Sequence, residues 1–251
     1  DFVDIEWMVD APAQWEADAI PKRGGVLLDG WTSTDINEHV QAVDAAGGEH
    51  ARVVHLDVAR WAGKTTGKQL ALLSMALRHL GPALGHAWSR VSIDWTLDAD
   101  PVVGLAQAEA LKRILSDAAP GSEWPRIRVN PSTQNLSDAP GRDNLIRQGL
   151  SNVAGVLCGV DAVGSGDLLA AGQVPDVHDA GKWSRNALHL LREESGLGQS
   201  GAVVSPLIDA LADGFASAAR QYTLDWKEAG LEDVRSCAES GPISPVVLAE
   251  P

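Results

Sequence analysis

Basic residues are scarce in this chain: 20 Lys and Arg stand against 34 Asp and Glu, a formal charge of −14. No basic stripe interrupts that negative field, which repels phosphate backbones and excludes a nucleic-acid partner. Cysteine is almost missing. Cys158 and Cys237 lie far apart and outside any CxxC or metal-ligand spacing, so both are expected to be reduced thiols. Long apolar runs are missing too, and the first ten residues, DFVDIEWMVD, are acidic. Neither a membrane span nor a secretory signal is expected, and the reading is of a soluble cytoplasmic protein. One tyrosine and two phenylalanines accompany nine tryptophans. What is present suffices for a core: 45% of the 251 residues are hydrophobic and 22% charged, which fits one large globular domain or two small ones.

Short runs rich in Val, Ile and Leu alternate with helical patterns between residues 25 and 205, the order expected of βα units around a parallel sheet. The candidate strands are 25–29 (GVLLD), 51–57 (ARVVHLD), 90–95 (RVSIDW), 126–130 (RIRVN), 153–161 (VAGVLCGVD) and 202–208 (AVVSPLI). In 66–80, Leu70, Leu73, Ala76, Leu77 and Leu80 recur at spacings of three and four and form one apolar stripe. Pro101 opens the next helix, with Lys112 and Arg113 placed near its end, where the helix dipole favours cations. Further helices run through 142–152, through 182–195 up to Gly196, and from about Pro206 to Ala229. The pattern divides the chain into an N-terminal arm (1–24), an α/β unit (25–235) and an extended C-terminal arm (236–251). Six strands fall short of the eight of a closed (β/α) barrel, so the expected fold is an incomplete or elaborated barrel. Its open edges call for a partner chain or a strand-like arm.

Reactive groups of parallel α/β folds gather at the C-terminal ends of the strands. Read that way, the strand ends carry Asp29, Asp57, Asp94, Asn130 and Asp161, with Trp31, Trp61 and Trp95 close by. A single Asp at such a place is an ordinary turn or N-cap residue. Four carboxylates converging on one mouth repel one another unless a cation is present. That cation could be a metal, a substrate ammonium, or a loop cation such as Arg60, Lys64 or Arg128. Only His55 stands near a carboxylate at a ligand spacing, so no metal is expected. An amine gripped by Asp and flanked by tryptophans that offer cation–π contacts fits the residue types better.

Weaker motifs point elsewhere and do not hold. WAGKTTGK (61–68) has the end of a phosphate loop, but Val58 stands where its first glycine belongs. His79 and His189 fall inside helical patterns and read as surface or core residues. GSG at 164–166 is too short for more than a turn, with Ser165 and Asp167 as caps.

From about Arg128 onward the chain resembles the second half of the substrate barrel of methylmalonyl-CoA mutases. NPSTQNLSDAPGRDNLIRQGLSNVAGVLCGVDAV is similar to that family's Ser-Leu-Thr-x-x-Asp-Pro-x-x-Asn-x-x-Arg strand and helix, with Leu136, Ser137, Asp138, Asn144 and Arg147 in frame. GKWSRNALHLLREESGLG resembles its Ala-Arg-Asn-Thr-x-x-Ile-Leu-x-Glu-Glu-Ser segment at Arg185, Asn186, Leu190, Glu193, Glu194 and Ser195. The GVDAV form is closer to the noncatalytic small subunit. VVHLDVARWAGKTTGK resembles the strand bearing the catalytic Tyr-His pair, but Asp57 and Val58 occupy those places. The Asp-x-His-x-x-Gly cobalamin motif is missing from these residues. The resemblance, over roughly residues 24–235, implies the half-barrel architecture and a heteromeric partner, and its departures leave no place for adenosylcobalamin radical chemistry.

Two functions follow as expectations. One is a cofactor-free enzyme subunit of specialised metabolism, of lyase or intramolecular-transferase type. Its substrate would be a small-molecule or carrier-bound amine, with Asp57 or Asp94 as general base and Asp29, Asp161, Asn130, Trp31, Trp61 and Trp95 for binding. The other is the silent small subunit of a mutase-like heterodimer, where the barrel has a packing role only.

Overall fold

The structure is a computed structural model that describes residues 6–7, 54–58, 65–85, 88–98, 100–121, 123–131, 141–164, 177–197 and 205–239. The candidate strand 25–29, with Asp29, Trp31, Arg60, Trp61 and Lys64, lies outside these residues, as do 202–204 and 240–251.

The described residues form an α/β fold on a parallel sheet. Its strands are β1 (Glu6–Trp7), β2 (Val54–Asp57), β3 (Val91–Leu97), β4 (Arg126–Pro131) and β5 (Ala162–Val163), in the spatial order β1-β5-β4-β3-β2. Helices α1 (Thr66–Ala83), α2 (Pro101–Ala118) and α3 (Gly141–Leu157) connect β2 through β5, and α4 (Val177–Glu193), α5 (Pro206–Glu228) and α6 (Val234–Glu239) follow. From β2 to β5 each strand lies beside its sequence neighbour. Two residues of the N-terminal arm pair with the far edge, Glu6 beside Ala162 and Trp7 beside Val163.

The apolar face of the sheet explains the helical layer. Ile93, Trp95 and Leu97 of β3 alternate with Ile127 and Val129 of β4 and with Val163, and all are buried. Helices α2 and α3 sit on this face. A Cβ on Gly104 of α2 would touch Leu97, and one on Gly155 of α3 would overlap the Val129 methyl, so both helices approach the strands at glycine. Helix α1 lies beside α2 and is buried over nearly its whole circumference, because α5 covers it from outside. The stripe Ile208, Ala212, Ala216, Ala219, Thr223 and Trp226 is the face α5 presents to α1 and α2. Small residues bring the helices close, and a Cβ on Gly67 of α1 would stand 2.9 Å from that of Ala218.

Local signals account for the helix ends. The Asp100 carboxylate accepts hydrogen bonds from the amides of Val102 and Val103 and Pro101 takes the first turn, which starts α2 where the sequence predicts. The helix runs past Lys112 and Arg113 to Ala118, however, so these cations do not serve its C-terminus. Lys112 reaches the Cys158 carbonyl, and Arg113 pairs with Asp209 and Asp213 of α5.

Three expectations need correcting. Residues 153–157 are the last turn of α3, not a strand, and β5 begins at Ala162 after a turn at Gly159 (φ +65°). The apolar run there is the buried flank of a helix, which a short run cannot distinguish from a strand. Residues 206–208, expected to end a strand, open α5. The C-terminal arm expected from residue 236 begins instead within α6.

Candidate functional site

The second face of the sheet is polar. Ser92, Asp94 and Thr96 on β3 are register partners of Arg126, Arg128 and Asn130 on β4, and residues paired across parallel strands share a face. The sequence signal was the alternation in RIRVN, which puts both arginines and the asparagine on one side. Ser92 and Asp94 are buried, and the three β4 side chains are half-buried.

Asp94 forms an ion pair with Arg128. A buried carboxylate is costly unless paired, and this arginine supplies the pairing from the adjoining strand. Arg128, one of the cations considered for neutralising the acidic mouth, holds that position. Asp94 itself lies at the middle of β3 and not at its end, because the strand continues through Trp95, Thr96 and Leu97.

One lateral row of the sheet gathers the acidic positions. Asp57 at the end of β2 is the register partner of Asp94; Asp94 pairs with Arg128, Arg128 with Ala162 and Ala162 with Glu6. At about 4.8 Å between strands the row spans roughly 19 Å. It carries three acidic positions and one basic.

The remaining candidates separate. Trp95 is fully buried on the helix-covered face, opposite Asp94, so it cannot border a site that contains Asp94; adjacent residues of a strand point to opposite sides. Its indole nitrogen has no hydrogen-bond partner among the described residues. Asp161 stands just before β5, at the end of the sheet away from the expected mouth. Its carboxylate accepts from the Ile127 amide at 2.7 Å while its own amide donates to the Ile127 carbonyl, a structural tie between β4 and β5. Both depart from the expected binding roles. Asn130 lies on the polar face near the end of β4, and its amide fills the space left at Gly164, where a Cβ would overlap it. Asp29, Trp31 and Trp61 lie outside the described residues.

Above the row, polar side chains tie the end of β3 to the helix starts. Gln107 accepts from the Asp98 amide and donates to the Thr66 hydroxyl, and Ser151 donates to the Asp98 carbonyl. Helix α3 buries Asn144, Gln148, Ser151 and Asn152 along one stripe; Arg147 donates to Asn144 and Ser184 to Gln148. Two residues of the mutase-like frame, Asn144 and Arg147, thus bond to each other. The frame residues of α4 and the turn after it, Arg185, Asn186, Leu190, Glu193, Glu194 and Ser195, are exposed.

Among the described residues no group of three His, Cys, Asp or Glu side chains could hold a metal ion, and no helix is long and apolar enough to cross a membrane. Burial pushes the Cys158 thiol up to about 12, with Lys112 opposing, and the Cys237 thiol up to about 11, with Asp233 adding to it. Neither is a poised nucleophile. No protein-family model matches the sequence, and no curated protein matches it.

Proposed function

We propose that the chain is an enzyme subunit that uses the polar face of its sheet to bind an amine-bearing small substrate and to deprotonate it without a cofactor. The observation that supports this reading is the row Asp57, Asp94, Arg128, Ala162 and Glu6, whose three acidic positions outnumber its single arginine. With Asp94 engaged by Arg128, Asp57, the register partner of Asp94 on β2, is the acidic position that would meet a cationic guest. Asp94 is then a positioning residue and Asp57 the general base. In the reaction class considered, Asp57 takes a proton from the substrate ammonium. The freed nitrogen lone pair attacks the carbon bearing a leaving group two atoms away, and the C–N bond forms as the leaving group departs with its electron pair. Asn130 offers an amide to the substrate from the end of β4. The half-barrel would be completed by a second subunit over the polar face.

The test is release of sulfate from 2-aminoethyl sulfate by the whole chain. Asp57→Asn is expected to lower the rate by roughly 100- to 10,000-fold, the usual range for a general base, with an unchanged melting temperature. A rate no greater than in buffer, or an unaltered rate in Asp57→Asn, overturns the reading. The second reading, a silent subunit of a mutase-like heterodimer, is favoured by the same ion pair, since Asp94 and Arg128 engage each other inside the sheet. It gains if a cobalamin-binding chain copurifies and the isolated protein turns nothing over.

A further inference from the structure

A second site lies on the other side of the molecule, where α5 crosses α1 and α2. A cleft of about 200 Å³ opens there, with Arg78 of α1, Asp117 and Ile114 of α2, and Arg220, Leu224 and Lys227 of α5 along its walls. Three cations face one carboxylate, in a chain whose overall charge is −14. The local excess is therefore positive against a strongly negative background.

The ion pairs of α5 explain how the excess arises. Its first half is acidic, and Arg113 takes up Asp209 and Asp213 there. Farther along, Asp225 accepts from Gln221, and Asp117 accepts from Arg220 at 2.8–2.9 Å. Arg78 and Lys227 have no side-chain partner among the described residues. A helix C-terminus attracts cations and accounts for Lys227, in the last turn of α5. It does not account for Arg78 or Arg220, both well inside their helices. The Thr223 hydroxyl is committed to the Ala219 carbonyl, so the donors of the cleft are the guanidinium and ammonium groups together with the Ser74 hydroxyl.

We propose that this cleft binds a dianionic phosphate group. Arg78 and Lys227 supply the primary contacts and Arg220, anchored by Asp117, borders it. A net of two positive charges balances a phosphate dianion, and guanidinium groups suit its oxygens. A water occupies about 30 Å³, so the cleft holds the volume of about seven and accommodates a phosphate with a short stem against Ile114 and Leu224. The proposal is independent of the polar sheet face, which lies across the helical layer from it.

Calorimetric titration of the whole chain with inorganic phosphate, at ionic strength held constant with chloride, tests it. Saturable one-site binding is expected, weakened about tenfold by Arg78→Gln or Lys227→Gln, as for the loss of one charge-assisted contact, and abolished in the double variant. Asp117→Asn, which releases Arg220, tightens binding. Melting curves verify that each variant folds. Phenyl phosphate separates the sources: tighter binding than inorganic phosphate identifies an ester with an apolar stem, and equal binding identifies the free anion. Absence of saturable binding, or equal binding in the double variant, overturns the proposal.

Discussion

Asp94 and Trp95 are neighbours in sequence and both are buried, yet they meet opposite environments. Trp95 lies under α2 and α3 with Ile93, Leu97 and Val129, where burial of apolar surface stabilises the fold and nothing charged is tolerated. Asp94 lies under a polar face and persists there because Arg128 stands beside it. The comparison teaches that this sheet is two-sided by construction: helices cover one face, and paired charge organises the other. Apolar packing holds the first face, and a buried ion pair stands on the second.

The sharpest way to break the comparison is on the covered face. Trp95→Ala is expected to cost about 3–5 kcal/mol in urea unfolding, the usual penalty for emptying an aromatic site in a packed core. On the polar face, Arg128→Met removes the ion-pair partner of a buried carboxylate and is expected to cost about 3 kcal/mol. Adding Asp94→Leu should recover most of that loss, because a buried ion pair is replaceable by apolar residues whereas half of one is not. A double variant as unstable as Arg128→Met alone would mean that the polar face, too, is held by packing.

Cys158 sharpens the same contrast through pH. Its thiol belongs to the covered side and its folded value, about 12, lies above the 9.0 of a free thiol, so the fold favours the protonated form. That contribution is complete below pH 9 and is lost as pH rises toward 12, by up to about 1.4 kcal/mol per unit. Urea unfolding between pH 8 and 11 should therefore show a steeper alkaline decline for the native chain than for Cys158→Ala. The smallest effect belongs at the border of the two regions: Asp100→Ala removes the cap of α2 and is expected to cost about 1 kcal/mol, read as a shift in the urea midpoint.

The parts of this architecture legible in the sequence were those with a clear period. Leu70, Leu73, Leu77 and Leu80 announced α1, and RVSIDW and RIRVN announced β3 and β4 in the correct parallel order. The partnership of Arg128 with Asp94 was open to reading as one of several cation choices, but the pairing register that selects it is a tertiary fact. Trp95 follows Asp94 directly in sequence yet parts from it in space, because adjacent strand residues point to opposite faces. Asp161 was misplaced because VAGVLCGVD has the composition of a strand and the burial of a helix flank. The carboxylate that seemed to end a strand precedes one and holds the Ile127 amide.

The pairing of Glu6 and Trp7 with Ala162 and Val163 has a temporal side. As the ribosome delivers the chain, β1 has no place to dock until β5, more than 150 residues downstream, has emerged. β1 is already made when β5 emerges and can cover its outer border at once, although closing so long a loop adds an entropic cost that grows only logarithmically with its length. Until that docking is complete, a strand of another copy competes for the same border, so residues 6–7 cover an edge open to mispairing.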